Sequence, residues 1–82
     1  MKIYTAIWED RHSDTTAHLF SDLDEAISWA REKADEYSKR YPEDYMEEDY
    51  EGYLFYVSYS CEGDHIHITE EELDKEVRDE SI

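Results

Sequence analysis

The sequence predicts an α+β domain: a four-stranded antiparallel sheet with one long helix on a face and a short C-terminal helix, in the order β-β-α-β-β-α. Three observations predict it. Apolar residues alternate with a period of two in several short runs. They recur at helical spacing in one long run. Only two Gly and one Pro occur in 82 residues, so little interrupts those runs.

The first strand is read over Lys2 to Trp8, with Ile3, Thr5 and Ile7 on one face and Tyr4, Ala6 and Trp8 on the other. Polar residues Glu9 to Asp14 make a loop, and Thr15 to Phe20 returns as a second strand. Ser21 is placed as a helix N-cap, with Asp22, Asp24 and Glu25 in the first turn, where the macrodipole favours anions. Leu23, Ala26, Ile27, Ala30, Ala34, Tyr37 and Tyr41 then form one apolar stripe. Lys39 and Arg40 suit a last turn, and Pro42 ends the helix.

Residues 42–51 read as an acidic, tyrosine-bearing connector with room for one helical turn. Gly52 to Cys61 alternates again. Tyr53, Phe55, Val57, Tyr59 and Cys61 face one way; Leu54, Tyr56, Ser58 and Ser60 face the other. Glu62-Gly63-Asp64 is a hairpin turn in which Gly63 supplies a positive φ. His65 to Ile68 is the fourth strand, with Ile66 and Ile68 opposite His65 and His67. Thr69 followed by Glu72 has the form of a capping box and predicts a helix from Glu70 to about Glu80, anchored by Leu73 and Val77. Trp8 and Trp29 are placed at the edges of the core.

A chain of this length, 1–82, is read as a single domain, burying about 60% of its unfolded surface. Its 24 acidic and 8 basic side chains give a formal net charge of −16. Aromatics at 15%, including eight Tyr and two Trp, argue against a disordered acidic tail and for a folded domain with an acidic surface. Met1-Lys2 leads into a mixed run and not an apolar signal segment. No apolar stretch reaches the roughly 20 residues of a membrane helix. A single cysteine, Cys61, excludes an intrachain disulfide and fits a reducing compartment. A cytoplasmic location is therefore expected. The charge repels nucleic acid and anionic membranes, so no direct nucleic-acid or membrane binding is expected, and a basic partner is.

The charge is uneven. Residues 1–40 carry nine acids against six bases; residues 41–82 carry fifteen against two. Such an excess costs stability through like-charge repulsion and exceeds the charge of magnitude about 2–8 that solubility needs. The excess invites a functional reading. Glu43, Asp44, Glu47, Glu48, Asp49 and Glu51 of the connector, and Glu72, Glu76 and Glu80 at helical spacing, are candidate partner-binding carboxylates. On a helix the last three would repeat about every 6 Å along the axis, comparable with phosphates along a strand. Tyr45 and Tyr50 are candidate aromatic anchors among them. The competing reading is a solvated acidic surface, with Tyr37, Tyr41 and Tyr53 as half-buried core residues whose hydroxyls reach water.

Catalytic and cofactor motifs are scarce. No Gly-rich phosphate loop and no EF-hand pattern occur. Cys61 is followed closely by Glu62 and Asp64, lacks the electropositive setting that activates a thiol, and is not placed as a nucleophile. His65 and His67, with Cys61 nearby in sequence, leave a metal site open as an alternative, but their spacing matches no strong zinc pattern. No enzyme activity and no cofactor are expected.

The segment Ile7-Trp8-Glu9-Asp10-Arg11-His12-Ser13-Asp14-Thr15-Thr16-Ala17-His18, with Tyr59-Ser60-Cys61-Glu62-Gly63-Asp64, resembles small uncharacterised proteins of phages and bacterial mobile elements. In size and acidity the chain is also similar to phage-encoded inhibitors of host defence, including anti-CRISPR and anti-restriction proteins that imitate DNA. The resemblance implies an inhibitor, acting in the host cytoplasm, that occupies the basic nucleic-acid site of a CRISPR or restriction effector. It carries no functional residue across. The alternative is a protein–protein adaptor or regulatory module that uses a tyrosine-rich sheet face, with Tyr45, Tyr50 and Tyr56 as its contacts.

Overall fold

The computed structural model describes residues 1–72. Within them the fold is α+β, with five strands and not four. They are β1 (Lys2–Glu9), β2 (Thr16–Phe20), β3 (Met46–Glu48), β4 (Phe55–Ser58) and β5 (His65–Glu72), and one helix, α1 (Leu23–Tyr37), follows β2. The sheet runs in the order β2-β1-β5-β4-β3. Every neighbouring pair is antiparallel.

The alternation of β1 sets which face is buried. Ala6 lies opposite Ile68, and Trp8 opposite Ile66; Val57 lies opposite Ile66. Cross-strand partners share a face, so these residues form one apolar layer. Ala6, Val57, Ile66 and Ile68 are fully buried there. The helix covers that layer with Ala26, Ala30 and Ala34, which recur at i, i+4, i+8 and are also fully buried. Side chains this small let the helix axis lie close to the sheet. Tyr4, Trp8, Phe20, Leu23, Ile27, Trp29 and Phe55 pack around them. Trp8 and Trp29 meet edge to face at 5.9 Å, so both tryptophans do border the core.

The helix limits differ by a residue or a turn from expectation. Its N-cap is Asp22, whose side chain accepts from the Asp24 N–H. It ends at Tyr37, and Ser38 caps it. Lys39, Arg40 and Tyr41 thus lie beyond it. Pro42–Asp44 forms a 3-10 turn, the one turn of helix the connector was given room for.

The connector then supplies the missed strand. Met46, Glu47 and Glu48 pair with Ser58, Val57 and Tyr56. Met-Glu-Glu has poor strand propensity, and it is held from outside. Arg31 of α1 reaches Glu47, and Tyr45 packs against the core.

The C-terminal helix is corrected at its start. Residues 70–72 continue β5, with Glu70, Glu71 and Glu72 opposite Tyr4, Ile3 and Lys2. Thr69 is in mid-strand, so its capping box does not form. Pairing with β1 gives these residues ladder hydrogen bonds, and ion pairs from Lys2 to Glu70 and from the Met1 amino group to Glu72 neutralise two of the acids. The remaining reading there, including Glu76 and Glu80, falls outside the described residues.

Candidate functional site

The sheet has a second face. On it stand Glu9 and Ile7 of β1, His65 and His67 of β5, Tyr56 of β4 and Glu48 of β3, since Glu9 pairs with His65, Ile7 and Tyr56 with His67, and Glu48 with Tyr56. Among the described residues no helix covers this face. The loop between β3 and β4 lies against it instead and adds two more rings.

The result is a continuous aromatic array. Tyr50 meets Tyr56 edge to face at 4.6 Å. Tyr53 stacks on Tyr56 at 6.1 Å and on His67 at 4.4 Å. Tyr56 stacks on His65 at 4.8 Å, and the two imidazoles are 5.3 Å apart. The alternation of Gly52 to Cys61 predicts Tyr53 on the face of Phe55 and Val57. The strand starts later than predicted, at Phe55, and Gly52 with φ of 98° turns the preceding backbone. The Tyr53 ring thereby comes to the outer side.

Carboxylates border the array. The Tyr50 hydroxyl donates to Glu48 at 2.7 Å. That bond and the Glu48 charge raise the Tyr50 pKa, while burial and then Glu48 raise that of Tyr56, so both phenols remain protonated. Glu9 Oε2 lies 3.7 Å from His65 Nε2. His67 is buried, and burial followed by His65 lowers its pKa from the ordinary 6.5 while Glu9 opposes them, so its ring is neutral at pH 7. Its Nδ1 has no hydrogen-bond partner among the described residues.

The predicted carboxylates divide into two groups. Glu47 is engaged internally: Arg31 and Tyr45 both donate to it, and it has a lowered pKa in consequence. Tyr45, predicted as an exposed anchor, has its hydroxyl tied at 2.7 Å, and burial followed by Glu47 pushes its pKa up to about 12. Glu48 holds Tyr50, and Glu72 holds the Met1 amino group. In contrast Glu43, Asp44, Asp49 and Glu51 have side chains with no hydrogen bond or ion pair among the described residues.

A second polar cluster ties the loop after β1 to the turn before β5. Trp8 Nε1 donates to the Tyr59 hydroxyl at 2.6 Å, and Tyr59 donates to Asp10 at 2.5 Å. Asp64, buried, accepts from the Arg11 N–H and from Ser60. Beside it lies a cleft of about 310 Å³ lined by Tyr37, Tyr41, Asp44, Cys61 and others. The cysteine is exposed. It joins neither group of metal-competent side chains that converge among the described residues: Glu9 with His65 and His67, and His12 with Glu62 and Asp64. The alternative ligand set that included Cys61 is therefore not assembled.

His65 and His67 were identifiable in the sequence as sharing a face. Glu9 was not, because its place depends on the register between β1 and β5. Tyr53 was assigned to the wrong face. No helix among the described residues is long and apolar enough to cross a membrane. No family model, curated protein or solved structure matches the chain.

Proposed function

We propose that this chain is a binding protein whose partner is a basic, nucleic-acid-binding protein, taken on the outer face of the sheet and the acidic connector beside it. The observation that carries the reading is the aromatic array from Tyr50 to His65, set on a sheet face that no described helix covers and bordered by carboxylates. Tyrosine gives large contact area with few rotors and a polar tip. Ring faces attract Lys and Arg, best when the contact is desolvated. A net charge of −16 steers a basic surface toward them. The carboxylates of Glu43, Asp44, Asp49 and Glu51, which have no side-chain partner among the described residues, stand in for phosphates in this reading. Nothing in it calls for catalysis.

The adaptor reading differs in where the binding energy lies. It draws on the same array, with the charge serving solubility alone. Binding from a bacterial lysate to the immobilised protein, at low and high salt and with duplex DNA as competitor, separates the two. The nucleic-acid-site reading expects a partner released by salt and displaced by DNA, and lost on Glu43→Lys, Asp49→Lys and Glu51→Lys together. Loss on Tyr50→Ala with Tyr56→Ala, but not on charge reversal, favours the adaptor. A partner indifferent to both sets of substitutions overturns the outer face and connector as the contact surface.

A further inference from the structure

We propose that Glu9, His65 and His67 form a site for one divalent transition-metal ion of the zinc class on the outer face of the sheet. The three side chains each offer one ligand atom, and these atoms all lie within 4.8 Å of one another. Backbone register builds the group: Glu9 is directly opposite His65, and His67 follows two residues on, on the same face. Two imidazole nitrogens and a carboxylate oxygen are a donor set that zinc takes, with a fourth position left for water or another ligand.

Two observations point to a cation there. First, His65 Nδ1 lies 2.9 Å from the Gly63 carbonyl oxygen. A carbonyl only accepts, so Nδ1 carries the hydrogen, and in the neutral ring Nε2 presents its lone pair. That lone pair is 3.7 Å from Glu9 Oε2, also an acceptor. A proton or a metal ion between the two atoms satisfies both, and a metal ion would engage His67 as well. The separation is close to the roughly 3.4 Å spanned by two ligands at about 2.1 Å on tetrahedral zinc. An imidazole whose second nitrogen donates to a backbone carbonyl is also how metal-bound histidines are commonly oriented. Second, His67 is only 8% exposed, and its Nδ1 has no hydrogen-bond partner among the described residues. A buried imidazole with an unpartnered nitrogen, on a residue that offers one of the three converging ligand atoms, is placed to act as a ligand.

The other convergent group, His12 with Glu62 and Asp64, brings His12 Nε2 to 3.3 Å from Glu62 Oε1 but has no buried unpartnered nitrogen among the described residues. Both Asp64 oxygens already accept hydrogen bonds, and the Arg11 guanidinium lies 3.9 Å from Glu62. It serves as the internal control.

Coordination has a structural consequence. The His65 and His67 rings are inclined by only 26°, and a metal lies in the plane of each ring it binds. At least one ring must therefore turn, which loosens its stack on Tyr56 or on Tyr53. The metal would thus be read out by the tyrosines of the same face.

The test is a calorimetric titration of zinc chloride into the full chain, in a large excess of magnesium to occupy plain carboxylate sites. One equivalent of zinc is expected to bind. Glu9→Gln and His65→Ala should each weaken it, on the order of a hundredfold for loss of a direct ligand, beyond the cost of losing an outer partner; His12→Ala should leave it unchanged. In the unsubstituted chain, the ring nitrogens of His65 and His67 and the ring protons of Tyr53 and Tyr56 should shift with zinc in NMR spectra, while the His12 and His18 ring nitrogens should not. This readout stands even where a variant folds poorly. No binding above the magnesium background, shifts confined to His12 and His18, or equal affinity in Glu9→Gln and His65→Ala would overturn the site. Partner capture is a separate measurement and is untouched by any of these results.

Discussion

Glu47 receives two parallel hydrogen bonds from Arg31, one to each carboxylate oxygen, at 2.8 and 3.1 Å. The fork joins the middle of α1 to β3, and the Arg31 guanidinium also lies 5.3 Å above the Phe55 ring. A strand of Met-Glu-Glu at a sheet edge is thereby fixed by a side chain 16 residues earlier in the chain. The residue is thus part of the fold before it is part of any surface.

Two variants at this pair should behave non-additively. Arg31→Ala and Glu47→Ala each remove the same contact, so the double variant should lose little more stability than the worse single one. Denaturant unfolding of all four proteins measures the coupling. Full additivity would mean that the fork contributes nothing, as is common for exposed ion pairs.

The same pair sets a pH dependence. The hydrogen bonds from Arg31 and Tyr45 lower the Glu47 pKa below its ordinary 4.5. Asp10 is likewise lowered: burial opposes, but hydrogen bonds from Tyr59 and the His12 N–H outweigh it. A depressed folded pKa contributes stability that is complete above the ordinary value and is lost as pH falls through the folded one. Unfolding midpoints should therefore drop with acid below about pH 4.5, and Glu47→Gln should flatten part of that slope. An unchanged slope in Glu47→Gln would contradict the assignment.

Tyr59→Phe should cost about 1–3 kcal/mol. The hydroxyl accepts from Trp8 Nε1 and donates to Asp10, so its removal leaves both partners without their bond. Chemical denaturation gives the figure, and tryptophan emission should shift as the indole N–H loses its partner.

Ala30→Leu should destabilise by about 1–3 kcal/mol through overpacking. Ala30 is a fully buried residue of α1 in the core cluster that includes Ala6, Ile66 and Ile68, where a longer side chain pushes the helix off the sheet. Ile66→Ala, on the sheet side of that cluster, should cost about 2–5 kcal/mol. In a domain this small either change is readable as a lowered thermal midpoint.

Gly63→Ala isolates backbone strain. A Cβ there meets nothing within 4 Å, yet φ is +97°. Space is therefore no obstacle, and the expected loss of about 1–3 kcal/mol comes from the backbone conformation alone. A neutral result would show that the turn relaxes to another form.

Much of the fold was legible because its signals are local. The alternation of Lys2 to Trp8, the helical stripe from Leu23 to Tyr37 and the glycine of the Ser60–Asp64 turn each reflect a period or a φ requirement within a few residues. The site was legible only in part. His65 and His67 share a face by strand geometry alone, but the fork from Arg31 to Glu47 and the packing of Tyr45 against the core depend on contacts distant in sequence.

The sequence by itself determined the two apolar periodicities, the charge of −16 and its concentration after residue 40, since these follow from side-chain identity and order. The tertiary structure decided the fifth strand, the continuation of β5 through Glu72 in place of a capped helix, and the meeting of Glu9 with His65 and His67. Each of those depends on a partner far along the chain: Arg31 for β3, and β1 for both the end of β5 and the Glu9 register. A local capping signal at Thr69 competes with eight paired positions against β1, and the long-range ladder prevails.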